Sequence, residues 1–168
     1  MGSLKSDHRP LLAPGRHYKS LQEVEALCVY SFSGPSLTHR LTLFLALKQF
    51  VQSLLVARIR CDVFLDGSFL TRKPYPDDVD VIVSIEHPVV EALTEEQMQL
   101  VAAINAQPVD KVDSYAATTY PREHERFRTV ADIGNAGEAY GVEHAQYWLK
   151  GYVVMRLWEA DVTNRICR

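Results

Sequence analysis

The sequence predicts an α+β fold, and three observations carry that prediction. Apolar residues recur at helical spacing over a long stretch ahead of residue 58, and two short Val-rich strands follow at Cys61–Asp66 and 78–85. A chain of 168 residues is also long enough for one compact domain and leaves little for a second.

In chain order, residues 1–20 mix Pro10, Pro14 and Gly15 with basic residues and histidines, without periodicity. They are expected to form an N-terminal arm, mobile or wrapped over the body, with a single domain over 21–168. A short helix is expected at 21–27. Ser33-Gly34-Pro35-Ser36 then punctuates the chain before a long helix over 37–58. In that helix Leu43, Leu47, Phe50 and Leu54, with Phe44, Val51 and Leu55, make a wide apolar stripe, and Arg40, Lys48 and Gln52 are assigned to the wet side. Pro74 and Pro76 forbid a regular helix between the two strands. His87-Pro88 closes the second strand. A further helix is expected after Thr94, which forms a capping box with Gln97, and it buries Leu100, Val101 and Ile104. Residues 105–108 stop it, and 109–117 reads as a third strand. The segment 121–128 is dense in charge, and Gly134, Asn135 and Gly137 mark a loop. The aromatic tail, 143–158, reads as helical, although Gly151 weakens that helix.

Composition narrows the function classes. Apolar content of 47% and charged content of 23% are ordinary for a globular protein, and a net charge of −3 lacks the basic excess of an extended nucleic-acid surface. A local basic groove stays open. Cys28, Cys61 and Cys167 are far apart and outside metal-ligand spacing, so reduced thiols in a cytoplasmic protein are expected. The six histidines show no paired spacing. The start of the chain lacks signal-peptide order, and the apolar run 41–47 falls far short of the ~20 residues of a membrane span. No membrane association is expected.

The chemistry-bearing pattern is Val63-Phe64-Leu65-Asp66-Gly67-Ser68, a nine-residue loop, and then Asp78-Val79-Asp80-Val81-Ile82-Val83. Alternate strand residues face one side, so Asp78 and Asp80 share a face and Val79, Val81 and Val83 share the other. Two carboxylates held that way repel, and an unpaired carboxylate within a Val/Ile run is costly to bury. A hard divalent cation, Mg²⁺ or Mn²⁺, supplies a reason for both, since it takes oxygen ligands and leaves positions open for phosphates. Gly67 lets backbone approach a phosphate, and the turn N–H groups at Gly67-Ser68 can cradle it. Metal-assisted nucleotidyl transfer is the chemistry this pattern suits, with two cations ~3.5–4 Å apart steadying the entering and leaving oxygens. A third carboxylate is expected on a neighbouring strand. Asp113, central in Val112-Asp113-Ser114, is preferred to Asp110, which opens that strand. Lys73 and Arg72 can reach triphosphate oxygens or serve a solvated turn, and Lys73 is grouped with the nucleotide-binding residues. Asp66 reads as a strand-end turn residue.

Leu65-Asp66-Gly67-Ser68 through Asp78-Val79-Asp80-Val81 resembles the nucleotidyltransferase superfamily that includes DNA polymerase β. Leu11-Leu12-Ala13-Pro14-Gly15-Arg16-His17 and the stretch Asp66 to Pro74 also look like a family of small bacterial nucleotidyltransferase-like proteins of unknown function. The resemblance covers roughly residues 10–120. It implies a small mixed β-sheet with helices mainly on one face, metal ligands at Asp78, Asp80 and Asp113, and Gly67 and Ser68 on the phosphates of an NTP such as ATP. The Pro-containing loop replaces the helix that commonly follows Gly-Ser in that superfamily. No further domain that would choose a template is expected, so transfer of an NMP to a hydroxyl on a protein, RNA or small molecule is the expected activity. By analogy with small members of the superfamily, the resemblance implies an acceptor in a partner protein encoded nearby, in a toxin–antitoxin or phage-defence pair. Two other classes stay open: a non-catalytic binding module of the same fold, and a glycosyltransferase whose Asp-x-Asp holds a nucleotide-sugar, for which the chain is short.

Overall fold

A computed structural model of the protein describes residues 8–106, 109–128 and 150–157. Their elements are β1 (Gly15–Tyr18), α1 (Leu21–Cys28), α2 (Gly34–Val56), β2 (Cys61–Asp66), β3 (Val79–Glu86), α3 (His87–Glu91), α4 (Glu95–Ala106), β4 (Val112–Thr119) and β5 (Gly151–Leu157). The strands form one mixed sheet in the order β1-β5-β2-β3-β4. The β5–β2 and β2–β3 pairs are antiparallel, whereas β1–β5 and β3–β4 are parallel. The fold is α+β with a five-stranded mixed sheet.

Local chemistry explains the helices. Ser20 caps α1, accepting from the Glu23 N–H while the Glu23 carboxylate accepts from the Ser20 N–H, a reciprocal box. Thr94 and Gln97 make the same exchange ahead of α4, as the sequence predicts. The α2 stripe packs with α1, α4 and the sheet side chains Val63, Leu65, Val79, Val81, Val83, Met155 and Leu157 in one core cluster. Among the described residues, the buried side chains of these helices therefore lie on one face of the sheet. A smaller cluster of Phe64, Tyr152 and Val154, with Ile82 against it, lies on the opposite face. The thiols of Cys28 and Cys61 are buried in the main core, and burial pushes both up to about 12.

Four expectations are corrected. Residues 151–157 of the tail are strand, not helix. Every residue from Gly151 to Met155 is buried, because β5 lies between β1 and β2 and packs on both faces. Such a strand reads as a continuous apolar run, which periodicity cannot distinguish from a buried helix. Gly151, which weakens a helix, is required in the strand. A Cβ there would lie 2.1 Å from the Ala13 carbonyl oxygen. The remainder of that expected helix, like Gly134, Asn135 and Gly137, lies outside the described residues.

The second correction is in the N-terminal arm, whose residues 15–18 form the sheet's edge strand. Ahead of it, the Leu11 N–H donates to the Leu70 carbonyl and the Arg72 N–H to the Arg9 carbonyl, tying the arm to the loop after Gly-Ser. Third, the strand expected from 109 begins at Val112. Lys111 adopts a φ of 63°, and Val109 bridges back to Val112, so 109–111 is a turn. Fourth, Arg40 is fully buried instead of facing water.

Candidate functional site

The site is built by strand register. β2, β3 and β4 lie side by side, with Asp66 opposite Asp80 and Asp80 opposite Asp113. Leu65, Val79, Val81 and Val112 belong to the helix-side core, so alternation turns the three carboxylates to the other face in a single row. Asp78 precedes Asp80 by two residues, just ahead of β3, and is half-buried. The row continues across the sheet. Leu65 pairs with Val153, which brings Tyr152 beside Asp66, and Tyr152 pairs with Arg16 on β1. The Arg16 Nε–H donates to the Tyr152 hydroxyl at 3.2 Å.

Gly67 holds this row together. Its φ of 71° and ψ of −165° lie in a region that essentially only glycine occupies. A Cβ on it would fall 1.5 Å from Oδ2 and 2.5 Å from Cγ of Asp80. The glycine therefore makes room for the Asp80 carboxylate, while its backbone amide helps to hold the Asp66 carboxylate ionised. Ser68 opens a 3-10 turn, Ser68–Leu70, closed by the Leu70 N–H on the Gly67 carbonyl at 3.2 Å and the Thr71 N–H on the Ser68 carbonyl at 3.1 Å. The turn is short, and the chain runs on irregularly to β3.

The electrostatics are those of crowded acids. Burial raises the pKa of Asp80, and the like charges of Asp78 and Asp113 raise it further. Burial pushes Asp66 up to about 7, against the pull of the Lys150 ammonium and the Gly67 N–H. Lys150 Nζ lies 2.9 Å from Asp66 Oδ1, and the two side chains are 6% and 7% exposed. Lys73, expected on a nucleotide, is ion-paired with Asp77 at 2.7 Å. Asp110 is exposed in the turn before β4, paired with Lys111.

The chemistry of these donors fits a hard divalent cation. Asp78, Asp80 and Asp113 offer only carboxylate oxygens, and each burdens the ionisation of the central one, a penalty that a +2 charge would relieve. Among the described residues, no three acidic, histidine or cysteine side chains are already drawn together as a ligand cluster. Like charges facing one another give no incentive to converge.

Several residues at or beside the row escaped the sequence reading. Arg40 reaches from α2 beneath the Gly-Ser turn and donates to the carbonyls of Cys28 at 2.9 Å, Phe69 at 2.8 Å, and Thr71 and Lys73 at 2.7 Å each. Its guanidinium lies 3.7 Å from the Phe32 ring centre, and burial lowers its pKa to about 10. His39 beside it meets the Pro76 carbonyl at 2.6 Å, so one turn of α2 anchors both ends of the loop. A signal was present: Arg40 stands three, four and seven residues before Leu43, Phe44 and Leu47, inside the apolar stripe. Asp66 is part of the row instead of a turn residue. Lys150 has no local signal, because its partner lies across the sheet.

The chain belongs to a family of unknown function, DUF6932, which matches residues 4–160. No curated protein and no solved structure matches it. Among the described residues, no helix is long and apolar enough to cross a membrane.

Proposed function

We propose that this protein is a divalent-cation-dependent nucleotidyltransferase of the polymerase β-like fold, moving an NMP from an NTP to a hydroxyl acceptor. The observation that carries this reading is the register of β3 and β4, which sets Asp80 beside Asp113 with Asp78 two residues away, next to a turn whose glycine yields its Cβ space to Asp80.

In this reading Asp78, Asp80 and Asp113 hold Mg²⁺ or Mn²⁺, and the bound ion supplies polarisation of the phosphoryl oxygens. The acceptor oxygen forms a bond to the α-phosphorus as the bond to the pyrophosphate oxygen breaks, and the pyrophosphate leaves with that electron pair. Asp113, exposed at the outer end of the row, takes the hydroxyl proton. The turn at Gly67-Ser68 orients the triphosphate, and Arg40 keeps that turn in one conformation. Lys73 reaches phosphate only by leaving Asp77, an exposed partner that costs little to give up. The acceptor is a protein, RNA or small molecule.

A second reading is a binding module that keeps the fold and acts on a partner by contact. One experiment separates the two. Purified protein is incubated with each α-labelled NTP and Mg²⁺ or Mn²⁺, with and without bacterial lysate, beside Asp78→Asn/Asp80→Asn. Label on an acceptor with the wild type alone supports transfer. A folded wild type that transfers no label under any condition supports the binding module.

A further inference from the structure

Buried ion pairs contribute little net stability, because the desolvation of both ions offsets their attraction, and apolar residues of similar volume would do as well or better. The pair between Lys150 and Asp66 is nearly inaccessible to water. It also sits where a charge has consequences. Asp66 is opposite Asp80 in the sheet, and opposing Cα atoms in antiparallel strands are ~4.5–5.5 Å apart. Held on Asp66, the Lys150 ammonium is brought to the strand next to Asp80, and it favours the ionised form of Asp80 as well as that of Asp66. Its position is fixed: it immediately precedes Gly151, where β5 enters the sheet between β1 and β2 and where the Ala13 carbonyl occupies the space of a Cβ.

We propose that Lys150 is the resident counter-ion of the carboxylate row, and that with Asp66 it sets how tightly the row binds a divalent cation. The proposal rests on the nucleotidyl-transfer reading in treating the row as a cation site. Lys150 touches no reacting atom in this account and is a positioning residue. Its charge repels a cation held by Asp80, and the charge of Asp66 attracts it. With both present the two effects nearly cancel, so the row stays open to exchange and does not trap the ion.

The test is Mn²⁺ binding measured calorimetrically without oxygen at pH 9, about two units above the value of Asp66, on the full chain, for wild type, Lys150→Met, Asp66→Asn, the Asp66→Asn/Lys150→Met double variant and Asp80→Asn. Charge changes at this range in a partly buried site alter affinity by about tenfold or more. Lys150→Met is expected to bind at least about tenfold tighter and Asp66→Asn at least about tenfold weaker, with the double variant within about threefold of wild type. A pair that merely supports the fold would weaken binding in both single variants, and that result overturns the proposal, as does unchanged affinity in Lys150→Met. Should Lys150→Met fail to fold, the step from Asp66→Asn to the double variant carries the same test, because the double variant removes both members of the buried pair; recovery of less than tenfold is then the refuting result. Asp80→Asn keeps the two claims apart. If it alone abolishes binding while Lys150→Met changes nothing, the cation site stands and the counter-ion role falls. Absence of Mn²⁺ binding in every protein tested removes both.

Discussion

Replacing Gly67 with alanine should damage the site directly. The new Cβ would sit 1.5 Å from Asp80 Oδ2 and 3.1 Å from Asp80 Cβ, so the carboxylate must leave its rotamer and the strands must adjust. The backbone conformation at Gly67 costs a residue with a Cβ ~1–3 kcal/mol, and overpacking a tight site adds ~1–3 kcal/mol. The expected loss is therefore roughly 2–6 kcal/mol, a large share of the ~5–15 kcal/mol that holds a typical domain together. Urea denaturation of wild type and Gly67→Ala measures it, and Mn²⁺ titration of the folded variant reads the displaced Asp80. The origin of the loss is open to test. In an Asp80→Ala background most of the clash is gone, so the added cost of Gly67→Ala should shrink to the backbone part, leaving a coupling of ~1 kcal/mol or more. A Gly67→Ala protein within ~0.5 kcal/mol of wild type, the scatter of a neutral surface change, would refute the close approach of Gly67 and Asp80.

Two further outcomes are expected. Arg40→Met removes a charged donor from four carbonyls at once and leaves them buried, so it should cost ~3–5 kcal/mol and strip amide-exchange protection from residues 69–73, with no rescue by Lys, which lacks the planar fork; a loss under ~1 kcal/mol would show that the clamp is dispensable. Because burial and its like-charged neighbours raise the pKa of Asp80, a cation there competes with a proton, so on acidification Mn²⁺ affinity should begin to fall at a higher pH than an ordinary aspartate near ~3.9 would require; a loss of affinity that sets in only at the ordinary aspartate range would contradict the crowded row.

What could be read from the sequence was local. Cys61–Asp66 emerges at its predicted bounds because its short apolar run, the following Gly-Ser and the preceding helix end all agree. The α2 stripe and the Thr94–Gln97 box are likewise short-range signals with physical causes. Asp80 and Asp113 were matched by residue type, yet only the parallel register of β3 and β4 makes them neighbours, and register is a long-range property. The tail misled because a strand buried on both faces carries no alternation. The purpose of Gly67 also differs from the expected one: the space it gives up is taken by Asp80, before any phosphate is considered. Arg40 was assigned to water by polarity alone, although its position in the apolar stripe spoke for burial. Lys150 could not be found from sequence, since it is 84 residues from Asp66 and the sheet alone joins them.

The most direct test of the central claim is transfer of label from an α-labelled NTP in the presence of Mg²⁺ or Mn²⁺, comparing wild type with a folded Asp80→Asn variant in the presence of lysate. The account predicts labelled acceptor with the wild type and none with Asp80→Asn. Equal labelling by both proteins would contradict the role given to the carboxylate row.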